Sequence, residues 1–235
     1  MMKRLLSFVF ALMLLFSMQA AHAQEASTPD TGLLYATQFT MEKQADGCTL
    51  LTLAGTDRFW VVPEGVSVPD DLPKDTVVLQ QPLDHLYLAA TSAMDHFRAL
   101  GCVDRITLSG TKESGWYIPE AAQAMQDGAM RYAGKYSAPD FELFLEEACP
   151  LAIESTMIYH TPEVKEQLET LGIPVLVERS SYESHPLGRM EWIKLYGVLL
   201  GREEEAERIF GEQLSALTGV LQTAPTGKTV AFFFV

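Results

Sequence analysis

The sequence is poor in cations. Its 235 residues include 17 Lys and Arg against 31 Asp and Glu, which gives a formal charge of −14 at pH 7. A protein that follows a nucleic-acid backbone needs clustered Lys and Arg to displace the counterions of the phosphates. The composition therefore argues against DNA or RNA as a partner. With 48% hydrophobic residues, the chain is nevertheless able to bury a core.

Hydrophobic runs of membrane-spanning length are missing as well. The apolar run from Leu5 to Met18 is shorter than the roughly 20 residues that a spanning helix needs. It follows two cations and ends in the small-residue triplet Ala21-His22-Ala23, which is typical of a cleavable secretory signal. We therefore expect a signal peptide over residues 1–23, cleavage after Ala23 and a periplasmic location.

Cysteine is scarce, and the three cysteines allow one disulfide bond at most. Cys102 and Cys149 each precede a predicted strand of one sheet, so they are the better candidates for a bond in an oxidising compartment. The alternative is that Cys48, Cys102 and Cys149 are all buried and unpaired.

Sequence motifs of catalysis are also lacking. There is no G-x-S-x-G, H-E-x-x-H or P-loop pattern, no short-spaced pair of histidines and no Cys-x-x-Cys. We therefore expect neither an enzyme nor a resident cofactor.

Short apolar segments alternate with helical patterns after residue 83, which is typical of a parallel sheet with crossover helices. The predicted strands are HLYLAA, RITLSG, PLAIEST and IPVLVE. The predicted organisation is a signal peptide over residues 1–23, a strand-rich extension over 24–83, an α/β lobe over 84–188, helices over 189–224 that include a long connector, and an apolar strand over 225–235. Because nothing follows that last run to cover it, we expect it to open a second lobe that continues beyond residue 235.

Two stretches carry a family resemblance. PDFELFLEEACPLAIEST is an acidic helix that leads into a strand beginning with Pro. GIPVLVERSSYESHPLGRMEWIKLYGVLLGREEEAERIF is a Gly-Ile-Pro-Val strand, a loop with a Glu and a helix that enters the connector. In this order, from about Asp84 to Val235, the chain resembles the class III periplasmic binding proteins, the solute receptors of ABC importers for iron-siderophores, haem and cobalamin. That family has two lobes of similar size, and this chain contains one of them with the connector.

The resemblance implies an α/β fold with a parallel sheet in the N-terminal lobe, a long interlobe helix and the start of a second α/β lobe. It implies an exported monomer that captures an iron chelate, or a related tetrapyrrole or corrinoid, and delivers it to an ABC permease. It also implies a carboxylate that docks on the permease, and Glu142 stands at the matching position. Glu142 falls early in a predicted helix, where the macrodipole favours a carboxylate, so a local structural role is the alternative.

Ligands of open α/β sheets collect outside the carboxyl ends of the strands. The loops predicted at this edge span residues 90–92, 109–117, 157–160 and 180–189. The candidate ligand-binding residues lie in these loops and in the segment before the acidic helix, and they are Trp116, Tyr117, Lys135, Tyr159, His160, Tyr182, Glu183, His185 and Arg189.

Each candidate has a structural alternative. In the loop SSYESHPLGR, Arg189 is suited to fork onto a ligand carboxylate and Tyr182 to stack on an organic face. Alternatively, Glu183 pairs with Arg189, and His185 forms a turn before the helix. Trp116 either joins a stacking platform or seals the lobe against the next helix. For Lys135, the alternative is a solvated lysine on the surface.

Two other functions are weighed against the chelate receptor. One is a direct receptor for Mn or Zn, in which His160 and His185 approach each other after neighbouring strands. The other is an exported α/β hydrolase that uses a serine of the Ser180-Ser181 pair with His185, although no suitably spaced Asp accompanies them.

Overall fold

The computed structural model describes residues 32–221, 223–224 and 227–231. The predicted signal peptide, residues 1–23, lies outside the described residues. Of the apolar strand predicted over 225–235, residues 227–231 form neither helix nor strand, and residues 232–235 lie outside the described part. Within the described residues, no helix is long and apolar enough to cross a membrane.

A four-stranded sheet comes first in the chain. It contains β1 (Phe39–Lys43), β2 (Thr49–Leu53), β3 (Asp57–Val62) and β4 (Thr76–Gln80), in the order β1-β2-β3-β4. The first three strands are antiparallel, and β4 adds to β3 in parallel. In β2, Leu51 and Leu53 are buried while Thr52 between them is partly exposed, the two-residue period of a sheet with one covered face.

A five-stranded parallel sheet follows, as the alternating pattern predicts. Its strands are β5 (Leu86–Leu88), β6 (Ile106–Ser109), β7 (Arg131–Tyr132), β10 (Ala152–Ser155) and β11 (Val175–Glu178), in the order β11-β10-β5-β6-β7. Between β7 and β10 lies a small antiparallel pair, β8 (Gly134–Lys135) and β9 (Ala138–Pro139). The sequence predicted all of the parallel strands except β7, whose two residues are too few for a readable pattern.

In the described part of the chain, six α-helices connect and follow these strands. They are α1 (Met94–Ala99), α2 (Pro119–Gln126), α3 (Phe141–Glu146), α4 (Pro162–Thr170), α5 (Pro186–Leu200) and α6 (Glu203–Leu221). Proline occupies the first position of α2, α4 and α5, where its missing N–H has no intrahelical partner to lose. Gly201 ends α5 at φ +64°, a left-handed conformation that glycine adopts without strain. The predicted α/β fold with a long final helix is therefore confirmed.

Two hydrophobic cores cover the two faces of the parallel sheet. The first core combines Leu88 and Ile153 with α5 and with Leu51 and Phe59 of the four-stranded sheet. The second core contains Leu108 and Val177 together with buried side chains of α3 and α4. Because both faces are covered, the short apolar strands of the parallel sheet are shielded from water.

The predicted Cys102–Cys149 disulfide is not formed. All three cysteines are free and buried, as the alternative predicted. Cys102 belongs to the first core and Cys149 to the second, so the sheet separates the two thiols. Their position before strands of one sheet did not reveal that they lie on opposite faces of it.

The buried carboxylates of Glu191 in α5 and Glu183 in the loop after β11 hold the segment of residues 32–38 in place. Glu191 accepts the backbone N–H groups of Leu34, Tyr35 and Ala36 at 2.7–3.0 Å and pairs with Lys194 at 3.3 Å. Burying an ion pair is favourable when the remaining oxygen lone pairs also find donors, and here the backbone supplies them. The start of the described chain is thus fastened beside the loop that follows β11.

Candidate functional site

The strand order places a crevice at the carboxyl edge of the parallel sheet. From β5 the chain proceeds to β6 and β7 on one side, then returns to β10 and β11 on the other side of β5. Loops that leave β5 and β10 therefore diverge to opposite faces, and ligands of open α/β sheets bind at such a switch point. The candidate site is this edge, formed by the loops that follow the five strands, here called the carboxyl edge (residues 89–93, 110–118, 133–140, 155–161 and 179–185).

Two small residues, Ala89 and Gly110, form the middle of the carboxyl edge, here called the floor. Gly110 donates its backbone N–H to the carbonyl of Leu88 at 2.8 Å, which draws the β6 loop onto the end of β5. A Cβ at position 110 would lie 2.9 Å from the Cα of Ala89 and from the Tyr87 hydroxyl, closer than real Cβ contacts. Only glycine allows this approach, so the floor stays low between its neighbours.

Exposed aromatic and apolar side chains rise on both sides of this floor. Tyr117 is 97% exposed after β6, and Tyr132 ends β7 beneath the ammonium of Lys112, which lies 5.4 Å from the ring centroid. On the other side stand side chains of the loops after β10 and β11, and they are Met157, Tyr159 and Tyr182. Such rings present flat apolar faces for stacking next to hydroxyl groups for hydrogen bonds.

Tyr182 is the best fixed of these rings. Its hydroxyl lies 3.0 Å from the Thr156 hydroxyl, which joins the β11 loop to the β10 loop. The Arg179 guanidinium lies 5.2 Å from the ring centroid. The predicted candidate Tyr182 is thus half exposed at the carboxyl edge, with contacts to its hydroxyl and to one face of its ring.

Glu183 does not lie open to a ligand. It is buried, and its carboxylate accepts hydrogen bonds from the backbone of Thr37 and Gln38 and from the Trp192 indole at 2.9 Å. These hydrogen bonds argue against the predicted ligand contact through Glu183, and among the described ion pairs Glu183 does not pair with Arg189. The Arg189 guanidinium is exposed and donates instead to the carbonyl of Ser181 at 3.1 Å.

His185 serves as the N-cap of α5. Its Nδ1 accepts the backbone N–H of Leu187 at 3.1 Å, and its ring stacks on Tyr35 with 4.8 Å between centroids. These contacts use one ring nitrogen and one ring face, and the side chain is otherwise exposed. The predicted alternative, a turn that leads into the helix, describes this arrangement.

Trp116 seals the lobe, as its structural alternative predicted. The indole is buried in the first core, and its Nε1 donates to the Ser109 hydroxyl at 3.2 Å. This burial argues against the predicted stacking role of Trp116, while its neighbour Tyr117 is exposed to solvent.

The remaining candidates are exposed. Tyr159 and His160 end the turn after β10, and Lys135 lies in the small β8–β9 pair beyond β7. Glu142 is exposed in the first turn of α3, where the Asp140 carboxylate caps its backbone N–H at 3.2 Å. Among the described residues, no three His, Cys, Asp or Glu side chains gather in a way that could hold a metal ion, so His160 and His185 do not build one.

The sequence patterns did not single out two buried glutamates beneath the carboxyl edge, Glu154 and Glu178. Glu178, at the end of β11, accepts the Ser92 hydroxyl at 2.8 Å and the backbone N–H of Ser180 at 2.7 Å. Since Ser92 follows β5, this carboxylate ties together the loops on either side of β10. Glu154 faces the second core with both oxygens unpaired, and burial raises its pKa to about 8. A glutamate inside an apolar strand is the sequence signal that would have singled out both.

Comparison with known proteins gives partial similarities at low sequence identity. No model of a known protein family matches the chain. Over 99 residues it is 27% identical to an uncharacterized lipoprotein of Methanocaldococcus jannaschii, covering 42% of this chain and 24% of that protein. It is similar to the periplasmic haem-binding protein HutB of Vibrio cholerae, at 17% identity and a TM-score of 0.47, over 61% of this chain and 52% of that one. The petrobactin-binding protein YclQ of Bacillus subtilis matches at 13% identity and a TM-score of 0.46, over 78% and 53%.

The chain therefore spans about half the length of the solved structures that it matches, and about a quarter of its curated relative. Periplasmic binding proteins, the class that the sequence resembles, are among these similar structures. At such identities the similarity does not identify a ligand for this chain.

Proposed function

We propose that this chain is the N-terminal lobe of an exported solute-binding protein, which captures a metal chelate, a tetrapyrrole or a corrinoid and passes it to an ABC permease. The observation that carries the proposal is the set of exposed aromatic rings around a low floor at the switch point of the sheet. Three of these rings belong to tyrosines of separate loops, Tyr117, Tyr159 and Tyr182. A large flat ligand is the kind of molecule that such a broad, aromatic and shallow edge fits.

The same geometry does not favour the hydrolase. Ser92, whose hydroxyl lies at the carboxyl edge, donates to a glutamate. His185 uses its Nδ1 to cap a helix, and the described His85 bonds Glu147. Among the described hydrogen bonds, none joins a histidine to a serine or cysteine, the contact that activates a nucleophile.

An open edge needs a second surface to enclose a ligand. The N-terminal half of α6 packs on α5, while the half from Gly211 onward is largely exposed. In the proposed protein this helix connects to a second lobe, and the ligand lies between the two carboxyl edges. Glu142, exposed on α3 beside the edge, is the proposed contact with the permease.

Binding of candidate ligands tests the proposal. The full chain is titrated with ferric siderophores, haem and cobalamin, with free Fe, Mn and Zn ions as controls, and tryptophan fluorescence is followed. We expect saturable quenching by one chelate, weakened by Tyr159→Ala and Tyr182→Ala and unaffected by Val68→Ala, an exposed apolar residue outside the edge.

Two results would contradict the receptor for chelates. Quenching by bare metal alone, abolished by His160→Ala, would identify a metal-ion receptor instead. If no member of the panel quenches the tryptophan fluorescence at millimolar concentration, the carboxyl edge does not have the proposed function.

A further inference from the structure

Two guanidinium groups lie on the turn after β11 without a carboxylate to neutralise them. Arg179 lies over the ring of Tyr182, and Arg189 donates to the carbonyl of Ser181 at 3.1 Å. Both groups therefore lie on the same turn of three residues, Ser180–Tyr182. Neither group forms an ion pair with any residue in the part of the chain that the structure describes.

Other cations of the described chain, such as Arg58 and Lys135, also lack an ion pair, so what distinguishes Arg179 and Arg189 is that both lie on one turn at the carboxyl edge. Six cations elsewhere in the described chain have carboxylate partners, and they are Arg98, Arg105, Arg131, Lys165, Lys194 and Arg208. The one carboxylate between residues 179 and 189 belongs to Glu183, and four donors from Thr37, Gln38 and Trp192 already occupy it.

Arg189 also stands where local physics disfavours a cation. It is the fourth residue of α5, whose first turn contains no acidic side chain. The helix macrodipole opposes positive charge at this end. Residues that violate a local rule without local compensation are expected at functional sites.

Arg179 is held in a position that leaves its fork open. Its Nε donates to the Gln38 side-chain carbonyl at 3.3 Å, which fixes the guanidinium over the ring of Tyr182. Within the described residues, no hydrogen bond uses its two Nη nitrogens. A guanidinium in this state offers two parallel donors, the geometry that matches a carboxylate.

We propose that Arg179, Arg189 and Tyr182 form a subsite for a carboxylate of the ligand, so that the ligand is an anionic chelate or tetrapyrrole that carries carboxylates. The inference rests on the proposed function and narrows it. The Arg179 fork receives the carboxylate, Arg189 adds a second positive charge, and the Tyr182 ring packs on the adjoining organic surface. A neutral corrinoid or a cationic hydroxamate chelate leaves both guanidinium groups unpaired.

Affinities for probes of different charge test this subsite. The full chain is titrated with haem and ferric citrate, which carry carboxylates, and with cationic ferrioxamine B and neutral cyanocobalamin. We expect a carboxylate-bearing probe to bind, and Arg179→Gln to weaken it by about tenfold, which corresponds to about 1.4 kcal/mol. Arg179→Lys should restore only part of the affinity, because an ammonium group keeps the charge without the fork.

Arg58→Gln is the matched control, since it removes an exposed arginine of β3 outside the edge and should leave the affinity unchanged. Equal binding of a carboxylate probe by Arg179→Gln, Arg189→Gln and the wild type would overturn the subsite. Preferential binding of ferrioxamine B or cyanocobalamin would overturn it as well and leave the proposed function standing. If no probe binds the wild type, the proposed function fails and this inference fails with it.

Discussion

The buried carboxyl group of Glu154 should make the stability of the lobe depend on pH. The side chain is 0% exposed, and neither oxygen has a hydrogen-bond partner among the described residues. Burial without a partner disfavours the charged form, which raises the pKa from 4.5 to about 8. In the folded lobe Glu154 is therefore protonated at neutral pH.

The sign of the effect follows from proton binding. Between pH 4.5 and pH 8 the unfolded chain has released this proton, whereas the folded lobe keeps it. Because the unfolded state binds fewer protons, the free energy of unfolding falls as pH rises through this range. The slope is about 1.4 kcal/mol per pH unit, so between pH 5 and pH 8 the group removes about 4 kcal/mol as an upper value.

Urea denaturation of Glu154→Gln and of the wild type at pH 5, 6, 7 and 8 measures this contribution. The neutral amide does not titrate, so the stability of the variant relative to the wild type should rise steadily from pH 5 to pH 8. Glu142→Gln, which replaces an exposed carboxylate by the same amide, is the matched control. A difference between Glu154→Gln and the wild type that stays flat within about 1 kcal/mol would refute the reasoning.

Three further predictions concern the packing that holds the carboxyl edge. Ser92→Ala removes one donor from the buried Glu178 carboxylate and should lower the free energy of unfolding by about 1–3 kcal/mol, and a loss below 0.5 kcal/mol in urea denaturation would contradict this. Glu183→Ala frees the N–H groups of Thr37 and Gln38, so amide exchange at these two residues should accelerate, and unchanged protection there would show that other contacts hold them. Gly110→Ala should destabilise the lobe by about 1–3 kcal/mol in thermal unfolding, whereas Gly211→Ala, in a helix with open space around it, should stabilise it by about 0.5–1 kcal/mol. Equal effects of the two glycine variants would contradict the close approach at Ala89.

The parallel sheet and its helices were predictable because their signals are local. Apolar runs bounded by Pro and Gly mark the strands and the helix ends directly, as at Pro162, the first residue of α4, and Gly201 after α5. The strand β7 escaped because a pair of residues has no period, and it owes its place in the sheet to Leu108 and Ser109 of β6.

The site was predictable only to the level of its loops. Residue type shows that a side chain has the right chemistry, and the three-dimensional fold decides which way it points. The Glu183 carboxylate accepts the backbone N–H of Thr37, which lies 146 residues away in sequence, and the buried Trp116 indole donates to the Ser109 hydroxyl. Tyr182 and Arg189 lie at the surface because neither has such a partner in the interior. The sequence pattern did not single out Arg179, although it belongs to the same turn.

The central claim is that a ligand binds at the carboxyl edge of the parallel sheet. Backbone amide shifts of the full chain, recorded by NMR with and without the binding member of the ligand panel, in which gallium(III) replaces any iron(III), test this most directly. We expect shifts confined to the loops of residues 89–93, 110–118, 133–140, 155–161 and 179–185. Shifts centred instead on the opposite edge, around Arg105 and Gly201, would contradict it.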